Sequence, residues 1–132
     1  MAASLNGRKV VLCAHDDPAV LLELRRALHG AGYLPIATGS GFDAVRLALQ
    51  EYPDLLLLDV SLRDLDGYAV RRAVAKLLHC EPPPAVFLND GTDEDALRSF
   101  FAGAAGCTGR PFTPQTVLEA VRQAFLPPRA FP

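Results

Sequence analysis

A run of four leucines that ends in a carboxylate, Leu55-Leu56-Leu57-Leu58-Asp59, is the first place in this chain where chemistry can be done. An unbroken apolar run between turn signals reads as a strand buried on both faces, and such strands belong to parallel sheets covered by helices. In open parallel sheets the carboxyl ends of the strands face the ligand crevice, so Asp59 is expected at a reactive edge. The competing role for a strand-terminal Asp is to start the next turn. Two other groups follow apolar or small-residue runs in the same way. His15-Asp16-Asp17 follows Val10–Ala14, and Arg110-Pro111 follows the glycine-rich Gly103–Gly109. Carboxylates from adjacent strand ends make an oxygen-rich site suited to a hard cation such as Mg²⁺. A guanidinium from the last loop suits a phosphoryl group placed against it. Asp17 precedes Pro18 and reads as a helix cap, which leaves Asp16 without that duty.

These residues are useful together only if the chain carries them to one edge. Strand and helix signals alternate along the whole length. Val10–Ala14 reads as a strand. Asp17 caps a helix whose periodic Val20, Leu21, Leu24 and Leu28 stop at Gly30. Leu34 to Thr38 is a second strand. Ser40 caps a helix carrying Phe42, Val45 and Leu49 on one face, ending before Pro53. The Leu55–Asp59 strand precedes a helix with Tyr68, Val70, Val74, Leu77 and Leu78, broken by Pro82-Pro83-Pro84. Ala85 to Leu88 is a fourth strand. Thr92 with Asp95 has the form of a capping box and opens a helix through Phe101. A short fifth strand is expected within Gly103–Gly109. Thr113-Pro114 then opens a last amphipathic helix with Val117, Leu118, Val121 and Phe125, closed by Pro127-Pro128. Five such repeats predict an α/β fold, a flavodoxin-like (βα)5 doubly wound sandwich with a parallel five-stranded sheet of order 2-1-3-4-5.

The whole fits one domain, expected over residues 8–126 with short terminal tails at 1–7 and 127–132. The chain has 132 residues, half of them hydrophobic, and a net charge of -2. That balance argues against non-specific binding to nucleic acid or anionic membranes. No apolar stretch approaches the roughly 20 residues of a membrane span, and the first seven residues lack the apolar core of a signal peptide. Cys13, Cys80 and Cys107 form no metal or redox motif and read as reduced thiols of a cytoplasmic protein. Asp64-Leu65-Asp66-Gly67 echoes a calcium loop, but Leu62 and Ala73 stand where its first and last ligands would be. Arg71, Arg72 and Lys76 read as the solvated face of the third helix, and His29 and His79 as helix-end residues. No nucleophile has a triad-type partner, and the chain is not expected to be an enzyme.

Taken together, His15-Asp-Asp-Pro18, Asp59-Val-Ser-Leu-Arg-Asp-Leu-Asp-Gly67, Pro84-Ala-Val-Phe-Leu-Asn89, Gly103-Ala-Ala-Gly106 and Arg110-Pro-Phe112 make the chain resemble a response-regulator receiver domain of two-component signalling. The resemblance runs from Arg8 to Phe125, and the 43-residue step from Asp16 to Asp59 is typical of it. It implies that Asp59 accepts a phosphoryl group from the phosphohistidine of a histidine kinase or phosphotransfer protein in a phosphorelay. It also implies Mg²⁺ as cofactor, with Asp16, Asp59 and the backbone carbonyl of Ser61 as ligands. The expected output is a protein contact, to a downstream partner or a second copy, through the face of helix four, strand five and helix five. No direct contact with nucleic acid or membrane is expected.

Several positions depart from the family pattern, all on the chemistry or its readout. His15 replaces the first acid of the pair, and imidazole is a poorer partner for Mg²⁺ than a carboxylate. Asn89 replaces the switch Ser/Thr; it can donate a hydrogen bond but lacks the compact hydroxyl. Arg110 replaces the lysine that contacts the phosphoryl group, keeping the charge in a bulkier fork. Cys107 replaces the switch aromatic and has no comparable lever arm. Arg63 replaces a proline and is expected to loosen the loop after Asp59. Phe100 and Phe101 lie about 100° apart on a helix, so both cannot face one core. Phe101 is expected to be exposed, forming with Cys107 an apolar patch for a partner; the alternative is that it folds over the gap Cys107 leaves. Two functions stand open on this reading. One is a working phosphoreceiver, the other a degenerate receiver that docks a partner without phosphorylation.

Overall fold

Strand and helix alternate without a break in the structure, a computed structural model that describes residues 7–127. The strands are β1 (Val10–Ala14), β2 (Leu34–Thr38), β3 (Leu55–Asp59), β4 (Ala85–Asn89) and β5 (Gly106–Gly109). The helices are α1 (Pro18–Gly30), α2 (Gly41–Glu51), α3 (Gly67–Leu77), α4 (Asp93–Phe101) and α5 (Pro114–Phe125). The sheet order is β2-β1-β3-β4-β5 with every pair parallel, as the sequence reading expects. The expected tails lie outside the described residues apart from Gly7 and Pro127.

The period-two geometry of a strand explains why the leucine run must be apolar throughout. Leu56 and Leu58 face Leu12, Phe87, Ala44, Val70 and Val74 on one side of the sheet. Leu55 and Leu57 face Val11, Val86, Leu24, Leu28, Val117 and Val121 on the other. Each fully buried Leu contributes on the order of 1.5–3 kcal/mol. A polar residue anywhere in Leu55–Leu58 therefore sits in one core or the other. Cys13 belongs to the second of them.

The helix starts follow the expected caps. Asp17 accepts from the Ala19 N–H at 2.9 Å, Ser40 from the Asp43 N–H at 3.1 Å and Asp66 from the Ala69 N–H at 2.9 Å. Thr92 accepts from the Asp95 N–H at 3.0 Å, but the Asp95 carboxylate accepts from Asp90 rather than closing a box. The reciprocal box forms instead between Thr113 and Thr116.

Other expectations need correction. In α2 the buried stripe is Gly41, Ala44 and Ala48, with Val45 and Leu47 packed beside it, and Phe42 is exposed; Gly41 is required where the helix starts against the Leu65 backbone. The helix α3 ends at Leu77, with Leu78 turning to extended backbone before the prolines are reached, and Leu77 is exposed. Arg71 is not on a solvated face; its Nε is buried. The helix α4 exposes Phe101, as expected, together with Phe100 and Leu97, and buries Ser99. No described helix is long and apolar enough to cross a membrane.

Candidate functional site

The carboxyl ends of β1, β3, β4 and β5 deliver the expected residues to one edge. His15 continues β1 through its N–H, which donates to the Thr38 carbonyl at 3.1 Å, and the Arg110 N–H donates to the Asn89 carbonyl at 2.9 Å. Gly67 lets α3 start directly over Asp59, since a Cβ there would fall 2.5 Å from the Asp59 carbonyl oxygen. The loop after β3 is also tied down from outside. Asp64 accepts from the Ser40 hydroxyl at 2.6 Å and from the Gly41 and Phe42 N–H groups at 2.8 and 3.2 Å.

Asp59 is buried, and a buried carboxylate must be paired or hydrogen-bonded. Its Oδ1 accepts from the Ser61 N–H at 3.3 Å. The Arg110 Nη2 stands 3.3 Å from both carboxylate oxygens, and the Nε2 of the buried His15 stands 3.4 Å from Oδ2. The His15 Nδ1 accepts from the Asp17 N–H at 3.0 Å. The neutral ring therefore carries its proton on Nε2, facing Asp59. Phe112 packs against the imidazole edge-on at 6.3 Å. Arg110 is nearly half exposed and also lies 3.9 Å from Asp90, so it is held at the rim rather than locked in.

Asp16 is brought to the same edge, but its contact is with Arg63, whose exposed Nε stands 3.7 Å from Oδ2. Arg63 thus reaches across to Asp16, where the sequence reading had it only loosening the loop. Mg²⁺ is held by hard oxygens, commonly one or two carboxylates plus phosphoryl oxygens. The carboxylates of Asp16 and Asp59 fit that chemistry. His15 does not, since Nδ1 is engaged by Asp17 and Nε2 bears the proton. Among the described residues no group of three or more His, Cys, Asp or Glu gathers.

Asn89 faces away from this pairing. Its Nδ2 donates to the Ser99 Oγ at 3.2 Å, and its Oδ1 accepts from the Gly91 N–H at 2.9 Å. The Ser99 Oγ also pairs with the Tyr68 hydroxyl at 3.1 Å, and the Tyr68 ring lies 4.7 Å from that of Phe87. A buried polar path so runs from the end of β4 into α4 and α3. Phe101 is 80% exposed and Phe100 72%, in edge contact at 5.5 Å, and Cys107 is exposed. Phe101 therefore does not fold over a gap at Cys107.

The sequence reading gives no role to Ser99, although Asp95, Ser99 and Ala102 follow the spacing of a single helical face. That face turns inward despite its polarity. Tyr68 and Asp64 stand in the sequence as a helix-face residue and part of a failed calcium loop, and no pattern along the chain points Tyr68 at Ser99 or Asp64 at α2.

Residues 11–122 match the family described as Response regulator receiver domain. The positive alginate biosynthesis regulatory protein of Pseudomonas aeruginosa is 34% identical over 122 residues, which cover 90% of this chain and 48% of that protein. The transcriptional regulatory protein KdpE of Mycobacterium tuberculosis is 32% identical over 116 residues, 87% of this chain and 50% of that one. The chain thus spans about half the length of these relatives. Among solved structures, chemotaxis response regulator CheY4 of Vibrio cholerae superposes with a TM-score of 0.82 at 23% identity, covering 89% of this chain and 99% of that one. A CheY-like receiver domain protein from Methanospirillum hungatei gives 0.78 at 24%, covering 88% and 92%. These two likenesses carry the fold alone.

Proposed function

This chain belongs to the response regulator receiver domain family, and on that premise we propose that Asp59 accepts a phosphoryl group from the phosphohistidine of a histidine kinase or phosphotransfer protein. The observation that carries the reading is a buried strand-end carboxylate with a half-exposed cation against both its oxygens. An Asp59 oxygen attacks phosphorus in line with the leaving imidazole nitrogen; the O–P bond forms as the P–N bond breaks, and the imidazole keeps the electron pair. Such a transfer needs positioning and charge neutralisation more than covalent help. Arg110 leaves the carboxylate and follows the charge onto the phosphoryl oxygens, where its fork can bind two at once. The His15 Nε2–H provides a neutral donor beside the same oxygens. Mg²⁺, held by Asp16, Asp59 and the Ser61 carbonyl, would neutralise charge on the phosphoryl oxygens.

The surface through which the signal leaves is the face of α4, β5 and α5, where Cys107 is exposed; Phe101 is exposed on the side of α4 that borders α3. Its taker is a downstream protein or a second copy of the chain. Asn89 occupies the switch position, and its readout runs through Ser99.

The test is incubation with Mg²⁺ and acetyl phosphate, followed by intact mass and by beryllofluoride titration. Wild type gains one phosphoryl group and Asp59→Asn gains none. If no small phosphodonor modifies the folded wild type, the reading falls. A phosphorylation-independent docking module is then favoured, because Arg110 and His15 already occupy the Asp59 oxygens.

A further inference from the structure

The helices α3 and α4 border an open cleft of about 800 Å³, and both helices bring cations to it. Arg71, Arg72 and Arg98 all line it, and none has a carboxylate within ion-pair distance among the described residues. Arg46, Arg63, Arg110 and Arg122 each have one. Arg71 is held in place for this. Its guanidinium lies against Gly103, where an added Cβ would come within 3.3 Å of Cζ, and Gly103 has a φ of +80°, which favours glycine. The Nε of Arg71 is shut away from water without a hydrogen-bond partner. Packing against Gly103, not a hydrogen bond at Nε, thus sets the direction of this guanidinium.

The α4 side also carries Leu97 and Phe101, both exposed and flanking Arg98. Two acids, Asp66 and Glu94, line the cleft too, and neither lies within ion-pair distance of the three arginines. The Asp66 carboxylate caps α3 through the Ala69 N–H, and Glu94 sits in the first turn of α4, where the helix dipole favours a negative charge. From this we propose that the α3–α4 cleft is a docking site for an acidic peptide segment of a protein partner. Its carboxylates would pair with Arg71, Arg72 and Arg98 and an apolar side chain would lie on Leu97 and Phe101. An open groove that sets exposed apolar side chains beside its arginines suits a chain segment better than a small anion. The site stands apart from Asp59 and does not depend on phosphorylation there.

The probe is a short fluorescein-labelled peptide of Glu and Asp residues around a Leu and a Phe, followed by anisotropy at low and physiological salt. The variants are the exposed pair Arg72→Gln/Arg98→Gln, which leaves the Arg71 packing intact, and Arg71→Gln, each checked for fold by circular dichroism. Wild type binds the peptide, binding weakens with salt, and the double variant binds about tenfold more weakly. Equal binding by wild type and the double variant overturns the proposal. So does equal binding of a control peptide with Gln for every acid, or full displacement by inorganic phosphate at the peptide's own affinity. Sedimentation tests the remaining occupant. A dimer that the double variant dissolves, in a protein that ignores the peptide, would assign the cleft to the Asp93-Glu94-Asp95 run of a second copy and overturn the proposal as well.

Discussion

The Asp17 backbone N–H, 3.0 Å from the Nδ1 of His15, turns the protonated Nε2 of that ring toward Asp59 Oδ2, 3.4 Å away. One residue thus does two things. Asp17 caps α1 with its carboxylate and sets the tautomer of the neighbouring histidine with its amide. The donor His15 presents stands where the family has an acid, so a negative charge is exchanged for a neutral N–H. Arg110 adds a positive charge on the same carboxylate.

His15→Asp should tighten Mg²⁺ binding. Restoring an anionic oxygen is worth on the order of 1–2 kcal/mol, comparable to a charge-assisted hydrogen bond, or about tenfold in dissociation constant. Calorimetric titration of both proteins decides it, and equal constants would show that the lost acid does not limit the site.

Asn89→Ala should destabilise the fold by about 1–3 kcal/mol, the cost of leaving the Gly91 N–H without an acceptor and Ser99 without the amide donor. Chemical denaturation measures this. A cost near zero would mean that the path from Asn89 to Ser99 adds nothing to the stability of α4.

The three thiols should separate by reactivity. Burial pushes the Cys13 thiol up to about 12, so it stays protonated and shielded at any ordinary pH, whereas Cys80 and Cys107 are exposed. A chromogenic disulfide reagent should modify Cys80 and Cys107 in the native protein and reach Cys13 only after denaturant is added. Rapid native modification of Cys13 would contradict its place in the core.

Asp64 should give the fold an acid-sensitive tie. The Ser40 hydroxyl first, then the Gly41 N–H and the Phe42 N–H, hold its carboxyl well below the usual carboxylate range. Its stabilising contribution is complete above the unfolded-chain carboxyl value of about 4. It fades as pH falls from there through the lowered folded value. Asp64→Ala should melt lower than wild type at neutral pH, and the gap should close as the pH is taken well below 4. A gap that persists unchanged at low pH would show that the Asp64 charge is not what ties the loop to α2.

The strand order, the helix starts and the placement of Asp59 were legible along the chain because each rests on contiguous residues. A period of two, an unbroken apolar run, or a capping oxygen next to a proline acts over a few positions, and local geometry then leaves few ways to pack. Asp16 and Asp59 met at one edge for the same reason, since parallel strands put their carboxyl ends together. Tertiary structure alone decided which groups face one another there. The Nε2–H of His15, the Arg110 fork on Asp59 and the reach of Arg63 to Asp16 depend on rotamers chosen across strands far apart in sequence. Composition misled about α2, and the inward turn of Ser99 in α4 was not visible in it. Leu97, Phe100 and Phe101 turn outward with Ser99 held inside by Asn89 and Tyr68, and Phe42 lies outside while Gly41, Ala44 and Ala48 take the inner stripe of α2. A sequence states which side chains prefer burial; only the packed fold states which of them find room and partners inside.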